Sequence, residues 1–443
     1  MPFSHLPALV SAWFSCLVGP LDKRTAPRLL LLLLGALFAR GRRTVTSWFR
    51  PAGITAEFRP AYIALAAAGR RCRTLAAGLL GRVVTPLFGS AGRLLFAIDD
   101  TPTPRWGPRV QGAGTHHNPS PGPAGEKFLY GHVWVTLAWL GTHPLWGVLA
   151  LPLLAALYVR KKDVPRLNKQ TPWAFRTKLE LAVELVAWLL GWLSRAGQAV
   201  WVVADGAYAK APFLRPLARR GVVVVSRLRK DAALLGLPGP KRPKQRGPAP
   251  RYGKKRLSLA KRGGQKRGWQ SLECVLYGAK VVKTIKTFLA TWRPAGGAIR
   301  VVLVSEPEGW LAFFCTDVNA SAKEVVEAMA ARGAIEQTFK DVKEVWGAGQ
   351  QQVRNVYASL GAFNLNLWLA SVVEAWAWAR PHEELVDRGR CPWDTPTRRP
   401  SHADRRKALQ RSTLREEIQA ALGARADEVE FQDLTQVLLD LAA

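Results

Sequence analysis

Residues 94–101 read LLFAIDDT, five apolar side chains followed by Asp99, Asp100 and Thr101. A second stretch of this kind, VWVVA at residues 200–204, leads directly into Asp205. Short apolar runs predict buried β-strands. Side chains at the carboxyl ends of such strands are where α/β sheets usually form their sites. We therefore expect two strands of one sheet, each ending in a carboxylate.

The neighbouring elements predict a mixed α/β sheet covered by helices. Residues 132–159 contain no Asp, Glu, Lys or Arg, but the turn signal GTHP at residues 141–144 divides them. We therefore interpret them as a buried hairpin and not as a membrane span. An amphipathic helix is expected at about 174–195 and a third strand at 221–225. The apolar run at 29–39 is too short to cross a bilayer.

The overall composition points to a polyanionic partner. The chain has 443 residues, which suggests two or three domains, and 48% of them are hydrophobic, enough to bury a core. Lys and Arg number 64 against 32 Asp and Glu, a formal net charge of +32. This excess argues against an ordinary metabolic enzyme and for DNA, RNA or an acidic membrane as partner. Five scattered cysteines without a CxxC pair predict neither disulfides nor a zinc site.

Two regions concentrate the positive charge. Residues 1–90 are basic, with apolar residues at helical spacing, and residues 42–50 suit either a helix lying on DNA or a solvated helix packed on the next domain. Residues 241–267 contain 12 Lys and Arg and no acid. We predict a flexible, exposed loop there that follows DNA phosphates and includes Lys254, Lys255 and Arg256.

Changes in composition divide the chain into five segments. The predicted order is a basic helical and DNA-binding domain at 1–90, the first part of the sheet domain at 91–229, a β-rich basic insertion at 230–320, the completion of the sheet domain at 321–380, and a C-terminal tail and helix at 381–443.

A helix is expected to open at Ser321, which has the capping-box spacing to Glu324. Its buried face is predicted to contain Ile335, Phe339, Val342 and Trp346. Its polar face is predicted to contain Arg332, Glu336, Lys340 and Lys343. Glu336 is thus a third carboxylate beside the two strand ends. Three converging carboxylates suit Mg²⁺, whereas the alternative is that the strand-end acids only terminate turns or cap helices.

Three motifs in this order resemble the DDE-type transposases of bacterial insertion sequences. The motifs are AIDDT at 97–101, VADGAY at 203–208 and RGAIEQTFKDVK at 332–343. The resemblance covers about residues 94–380 and is greatest to the cut-and-paste branch, which has a β-strand insertion between the second Asp and the Glu. In that branch the last motif is Tyr, two residues, Arg, three residues, Glu, six residues, Lys. This chain matches it except that Met329 occupies the Tyr position.

The resemblance implies a ribonuclease-H-like fold with two Mg²⁺ or Mn²⁺ ions. Asp205 and Glu336 carry over as catalytic metal ligands. The first Asp is Asp100 if the strand is aligned as Ala-Ile-acid-Asp-Thr, which we prefer, and Asp99 if it is aligned as Asp-x-Thr. Only one of the two can point into the site, because side chains alternate along a strand.

The resemblance also implies contacts with DNA. Arg332, Lys340 and Lys343 are expected to contact phosphates of the transposon ends. A tryptophan of the insertion is expected to stack on a flipped base, and the candidates are Trp269, Trp292 and Trp310.

The implied activity is DNA transposition. Water first attacks the phosphodiester at the transposon end, and the freed 3′-hydroxyl then attacks target DNA. The partners are double-stranded transposon ends and target DNA, bound by a homodimer in the bacterial cytoplasm at the nucleoid, with no membrane. The alternatives are a DNA-binding protein derived from a transposase without activity, a ribonuclease-H-like nuclease that does not join strands, and a basic membrane protein built on residues 132–159.

Overall fold

The computed structural model describes residues 7–89, 92–117, 126–193, 197–240, 247–386, 388, 393–395 and 397–422. The α-helices are α1 (Ala8–Val18), α2 (Thr25–Phe38), α3 (Val45–Phe49), α4 (Arg59–Arg70), α5 (Cys72–Leu79), α6 (Thr85–Phe88), α7 (Val164–Asn168), α8 (Lys178–Trp192), α9 (Ala211–Ala218), α10 (Leu259–Gly264), α11 (Ala322–Ala331), α12 (Gly333–Glu344), α13 (Val356–Ala377), α14 (His382–Leu385) and α15 (His402–Leu422). The strands are β1 (Arg93–Pro104), β2 (Gly114–His117), β3 (Phe128–His143), β4 (Gly147–Tyr158), β5 (Ala199–Ala204), β6 (Val223–Arg227), β7 (Leu234–Leu235), β8 (Arg256–Leu257), β9 (Gln270–Leu276), β10 (Ala279–Trp292), β11 (Gly297–Glu306) and β12 (Gly309–Cys315). A π-helical turn (Leu80–Val84) follows α5, and 3₁₀ turns lie at Lys161–Asp163 and Gly206–Tyr208.

The strands form one mixed sheet. Strands β4, β3 and β1 are antiparallel neighbours, and β5 and β6 then continue the sheet parallel to β1. Helices cover both faces of this part of the sheet. This is the ribonuclease-H-like arrangement that the resemblance implied, and the expected fold class is confirmed. The insertion extends the same sheet from β6 through β12, β11 and β10.

Strand β1 is longer than the sequence predicted. We expected it to end at Asp99 and Asp100, but it continues to Pro104. The reason lies in its two neighbours. Parallel pairing with β5 stops at Ile98, whereas antiparallel pairing with β3 continues to Pro104. The two carboxylates therefore lie inside β1, just beyond its last parallel pair.

The apolar segment at 132–159 is the hairpin β3–β4, as predicted, with its turn at residues 144–146. Helix α13 covers β4 and bonds to its backbone. Asn364 Oδ1 accepts from the Ala155 N–H (2.8 Å), and the Trp368 Nε1–H donates to the Leu153 oxygen (2.9 Å). Within the described residues α13 is the one helix long and apolar enough to cross a membrane, and 94% of that apolar window is buried in the fold. Helix α13 is therefore the buried core helix of the fold.

The N-terminal helices share a core with the sheet domain. Apolar residues of α1 to α6 belong to one continuous cluster with α13 and with β1, β3 and β4. Trp48 and Phe49, in the segment that suited a helix on DNA, are buried. Their aromatic rings therefore face the protein interior, and DNA binding by this region stays a prediction.

The insertion is more ordered than the predicted flexible loop. Residues 241–246 of that segment lie outside the described residues. Further along, β8 pairs with β7, and Ser258 caps the N-terminus of α10 through the Lys261 N–H. Residues 256–264 are therefore regular structure, because they pack at the edge of the insertion's own strands. Strand β10, which joins β9 to β11, was not anticipated.

The predicted capping box is present at Ser321 and Glu324, but the helix that follows is divided. Helix α11 ends at Ala331 and α12 begins at Gly333, with Arg332 at the junction. The other end of α12 is held by α15. The buried Arg406 donates to the Val345 oxygen at the end of α12 (3.1 Å) and to the Leu37 oxygen near the end of α2 (2.7 Å).

A buried pair of basic side chains supports a pH prediction. Arg105 Nε donates to His132 Nδ1 (3.1 Å), and burial, with the charge of Arg105, lowers the pKa of His132 to about 3. The unfolded chain takes up a proton on this histidine below about pH 6.5, and the folded chain does not. Stability should therefore fall as the pH falls from about 6.5 towards 3, by about 2 kcal/mol at pH 5 from this group alone. Urea unfolding at pH 7.5 and 5.0 measures this loss of stability. The drop should be smaller in His132→Asn, and equal drops would contradict the assignment.

Candidate active site

Alternation along β1 places its two carboxylates on opposite faces of the sheet. Ala97 packs in the cluster formed with α11 and α12, whereas Ile98 packs in the cluster that contains α8 and the N-terminal helices. Successive side chains of a strand point to opposite faces. Asp99 therefore shares the face of Ala97, towards α12, and Asp100 shares the face of Ile98.

Asp205 lies on the α12 side as well. In β5, Trp201 and Val203 pack with α11 and α12, and Val202 and Ala204 pack on the other face. The backbone at Asp205 is still extended (φ −66°, ψ 160°), so the alternation continues through this residue. The side chain of Asp205 is thus on the same face as Asp99.

Arg332 joins the first strand to the helix that carries Glu336. Its Nη1 lies 2.7 Å from Asp99 Oδ2, and its Nη2 lies 2.5 Å from Glu336 Oε1. Burial alone would lower the pKa of Arg332, but the charges of Asp99, Glu336 and Asp205 raise it above its ordinary value. The Arg332 guanidinium is therefore the positive charge that interacts with these three carboxylates.

The surroundings of Asp99 shift its pKa. Burial raises the pKa of Asp99 to about 6. The charge of Arg332 and a hydrogen bond from the Asp100 N–H (2.8 Å) oppose this rise, and the charges of Asp100 and Asp205 add to it. Such crowding of carboxylates favours a site that binds cations.

Asp100 has different partners. Lys178, the first residue of α8, places its Nζ 2.6 Å from Asp100 Oδ2, and the hydroxyl of Tyr208 donates to Asp100 Oδ1 (3.0 Å). Burial first, and then the charge of Asp100, hold the pKa of Tyr208 well above its ordinary value. Sequence reasoning missed both partners, although Tyr208 follows Asp205 by three residues.

The donor chemistry of the site fits a divalent metal. Asp99, Asp205 and Glu336 offer hard carboxylate oxygens, which Mg²⁺ prefers. As placed, no group of three or more His, Cys, Asp or Glu among the described residues is close enough to hold a metal ion. Instead, Arg332 lies between Asp99 and Glu336 and neutralises them. The residues present therefore suit a cation site, with a guanidinium as the cation in this structure.

The predicted DNA-contacting cations occupy three settings. Lys340 is exposed one helical turn after Glu336, whereas Lys343 is half-buried, and its burial lowers its pKa. Arg332 is engaged by carboxylates. In the insertion, the side chains of Lys254, Lys255 and Arg256 are exposed.

The three candidate tryptophans are each packed against the insertion. Trp292 is 7% exposed and packs on Phe314, and lysine side chains lie over the rings of Trp269 and Trp310. An exposed aromatic residue near the site is Tyr277, at the tip of the β9–β10 hairpin with φ 54°. A Cβ on Gly333, at the start of α12, would lie 3.5 Å from its ring. Gly278, the residue after Tyr277, was the available turn signal.

A ribonuclease-H-like sheet with carboxylates from two strands and a later helix is the architecture of a nuclease-type enzyme. The chain matches the family described as DDE superfamily endonuclease over residues 16–293, and it belongs to that family. The match includes Asp99, Asp100 and Asp205 and ends before Glu336. No curated protein matches the chain.

Family membership confirms the resemblance to DDE-type transposases. It implies a DNA substrate and the divalent metals that this superfamily generally uses.

Proposed function

We propose that this chain is a DNA transposase that cuts DNA at the ends of its own mobile element and joins those ends to target DNA. One observation carries the proposal. Asp99 and Asp205 lie on the face of the sheet that α12 covers, and Arg332 links Asp99 to Glu336 on that helix.

The metal ligands in this proposal are Asp99, Asp205 and Glu336. Asp99 replaces our alignment-based preference for Asp100, because Asp100 lies on the opposite face, where Lys178 and Tyr208 bind it. When bound, two Mg²⁺ or Mn²⁺ ions stabilise both the attacking and the leaving oxygen of the phosphoryl transfer.

The remaining residues act on the DNA. Lys340, exposed beside Glu336 on α12, is placed to hold a phosphate near the reacting bond, and Lys343 supports it from the next turn. Arg332, which pairs with Asp99 and Glu336 in the metal-free chain, leaves them when metal binds and contacts a phosphate of the transposon end. Lys254, Lys255 and Arg256 bind the backbone further out. Transposition requires two ends, so a homodimer on paired DNA ends is part of the proposal.

The test is a Mg²⁺-dependent reaction on duplex DNA that carries the repeats flanking the gene. We expect cleavage that leaves a 3′-hydroxyl, followed by joined products with target DNA. Glu336→Gln should lose both by more than about 100-fold, since removing even a group that only orients a metal ligand costs roughly 10–100-fold. DNA binding should be retained.

Glu344→Gln is the matched control, since Glu344 is exposed on the same helix and the charge change is identical. It should cleave like the unchanged protein. Full cleavage activity in the Glu336→Gln variant would contradict the assignment of Glu336 as a metal ligand.

The family description as an endonuclease favours one second candidate, a nuclease that cuts without joining. Cleavage in this assay without any joined product would assign that function instead.

A further inference from the structure

A basic cleft lies beyond the end of β1 that carries the active-site acids. It has a volume of about 370 Å³ and is lined by the loop after β1, by α7 and by the segment before α13. Each of these three pieces contributes one exposed arginine, Arg109, Arg166 and Arg354. None of the three has an ion-pair partner in the described part of the chain.

The surroundings of the cleft leave its positive charge uncompensated. The acid in its wall, Asp163, is already paired with Arg160 (2.5 Å). The cleft also adjoins the N-terminus of α13, a 22-residue helix, where the helix dipole adds partial positive charge. Three guanidinium groups in these positively charged surroundings favour the binding of an anion.

The cleft is held open by backbone and amide contacts and not by the arginines themselves. Gln111 is its centre. The Gln111 N–H donates to the Arg354 oxygen (2.9 Å), Gln111 Oε1 accepts from the Val356 N–H (2.8 Å), and Gln111 Nε2 donates to Gln170 Oε1 (2.6 Å). One side chain thus fixes all three pieces. The guanidinium groups remain available for a ligand in a preformed site.

A hydrogen bond joins the end of β1 to the segment that leads from α12 to the cleft. Arg105, the residue directly after β1, is buried and donates from Nη1 to the Gln351 oxygen in the segment that follows α12.

We propose that Arg109, Arg166 and Arg354 form a phosphate-binding site that holds the DNA duplex outside the active site. The inference rests on the proposed function for its substrate. Arginine suits this role because its guanidinium group binds phosphate oxygens through two parallel hydrogen bonds. The site is sequence-independent, since it contacts only the backbone.

The test is binding of a fluorescently labelled duplex, containing the repeats that flank the gene, to the full chain in EDTA. A variant with Arg109→Gln, Arg166→Gln and Arg354→Gln should bind about fivefold more weakly per arginine at about 0.15 M salt. The slope of log affinity against log salt should fall by about 1 per arginine, equally for unrelated duplexes. Lys407→Gln, an exposed charge on α15, is the control and should change neither quantity.

Backbone protection gives a second readout. In hydroxyl-radical footprints the triple variant should lose protection over one segment of the DNA backbone and keep it elsewhere. Arg166→Gln alone, exposed on α7, serves if the triple variant does not fold. Unchanged affinity and salt slope, or a footprint identical to that of the unchanged protein, would overturn the proposal. Because binding is measured without metal, a failure to cleave DNA does not affect this result.

Discussion

Asp99→Asn should abolish metal-dependent DNA cleavage, whereas the Asp100→Asn variant should remain active. Asp99 lies on the α12 face of the sheet and contacts Arg332, which also binds Glu336. Replacing its carboxylate with an amide removes a charged oxygen donor for the metal. We expect a loss of more than about 100-fold, beyond the roughly 10–100-fold cost of losing a group that only orients a ligand.

The neighbouring substitution is the matched control. Asn at position 100 still accepts the hydrogen bond from Tyr208 and loses only the ion pair with Lys178. That pair is partly exposed, and such pairs contribute about 0.2–1 kcal/mol. Cleavage by Asp100→Asn should therefore stay within about tenfold of the unchanged protein.

Both variants are compared in the same cleavage assay, with DNA affinity and thermal unfolding measured beside it. Binding of Mn²⁺ to the DNA-free protein is a further readout and should weaken in Asp99→Asn alone. The reverse pattern, with Asp100→Asn inactive and Asp99→Asn active, would restore the alignment that places Asp100 in the site.

The sequence alone did not decide which of these two acids, Asp99 or Asp100, is the metal ligand. Local patterns predicted both strands, the hairpin and the capped helix, because apolar runs and capping spacing act within a few residues. Which acid faces the site depends on which face of the sheet α12 covers. The packing of Ile335 and Phe339 against the sheet determines which face α12 covers. The sequence of residues 94–101 contains no information about that packing.

Other features were missed for related reasons. Strand β10 reads AKVVKTIKTFLATW, and it is a strand because β9 and β11 pair with it on both sides. The cleft of Arg109, Arg166 and Arg354 joins three distant segments through Gln111, and none of these arginines stands in a local motif. The contacts between distant segments of the chain were therefore the features that the sequence did not predict.

Gly361→Ala should strongly destabilise the core. Helices α4 and α13 cross with their backbones in contact. A Cβ on Gly361 would lie 2.0 Å from the Leu65 oxygen, and one on Gly69 would lie 1.8 Å from the Tyr357 oxygen. The clashing atoms are backbone, so no side-chain rotation relieves them and the two helices must separate. We expect a loss of about 3 kcal/mol in the free energy of unfolding, the upper end of the usual cost of overpacking.

Gly191→Ala is the control. Gly191 lies in the last turn of α8, and a Cβ there meets nothing within 4 Å. Alanine should stabilise that helix by about 0.5–1 kcal/mol, because glycine loses more backbone freedom on folding. Urea unfolding measures both variants, and equal stability of Gly361→Ala and the unchanged protein would contradict the close crossing.

The same experiment addresses the predicted boundary near residue 90. Helix α4 belongs to the N-terminal region, and α13 covers the sheet. If these regions unfold as one unit, Gly361→Ala should lower the unfolding midpoint of the whole chain in a single transition. If residues 1–90 are an independent domain, an early transition should appear that is confined to the N-terminal helices, and DNA cleavage should survive it. The shared apolar cluster of α2, α4 and α13 leads us to expect the single transition.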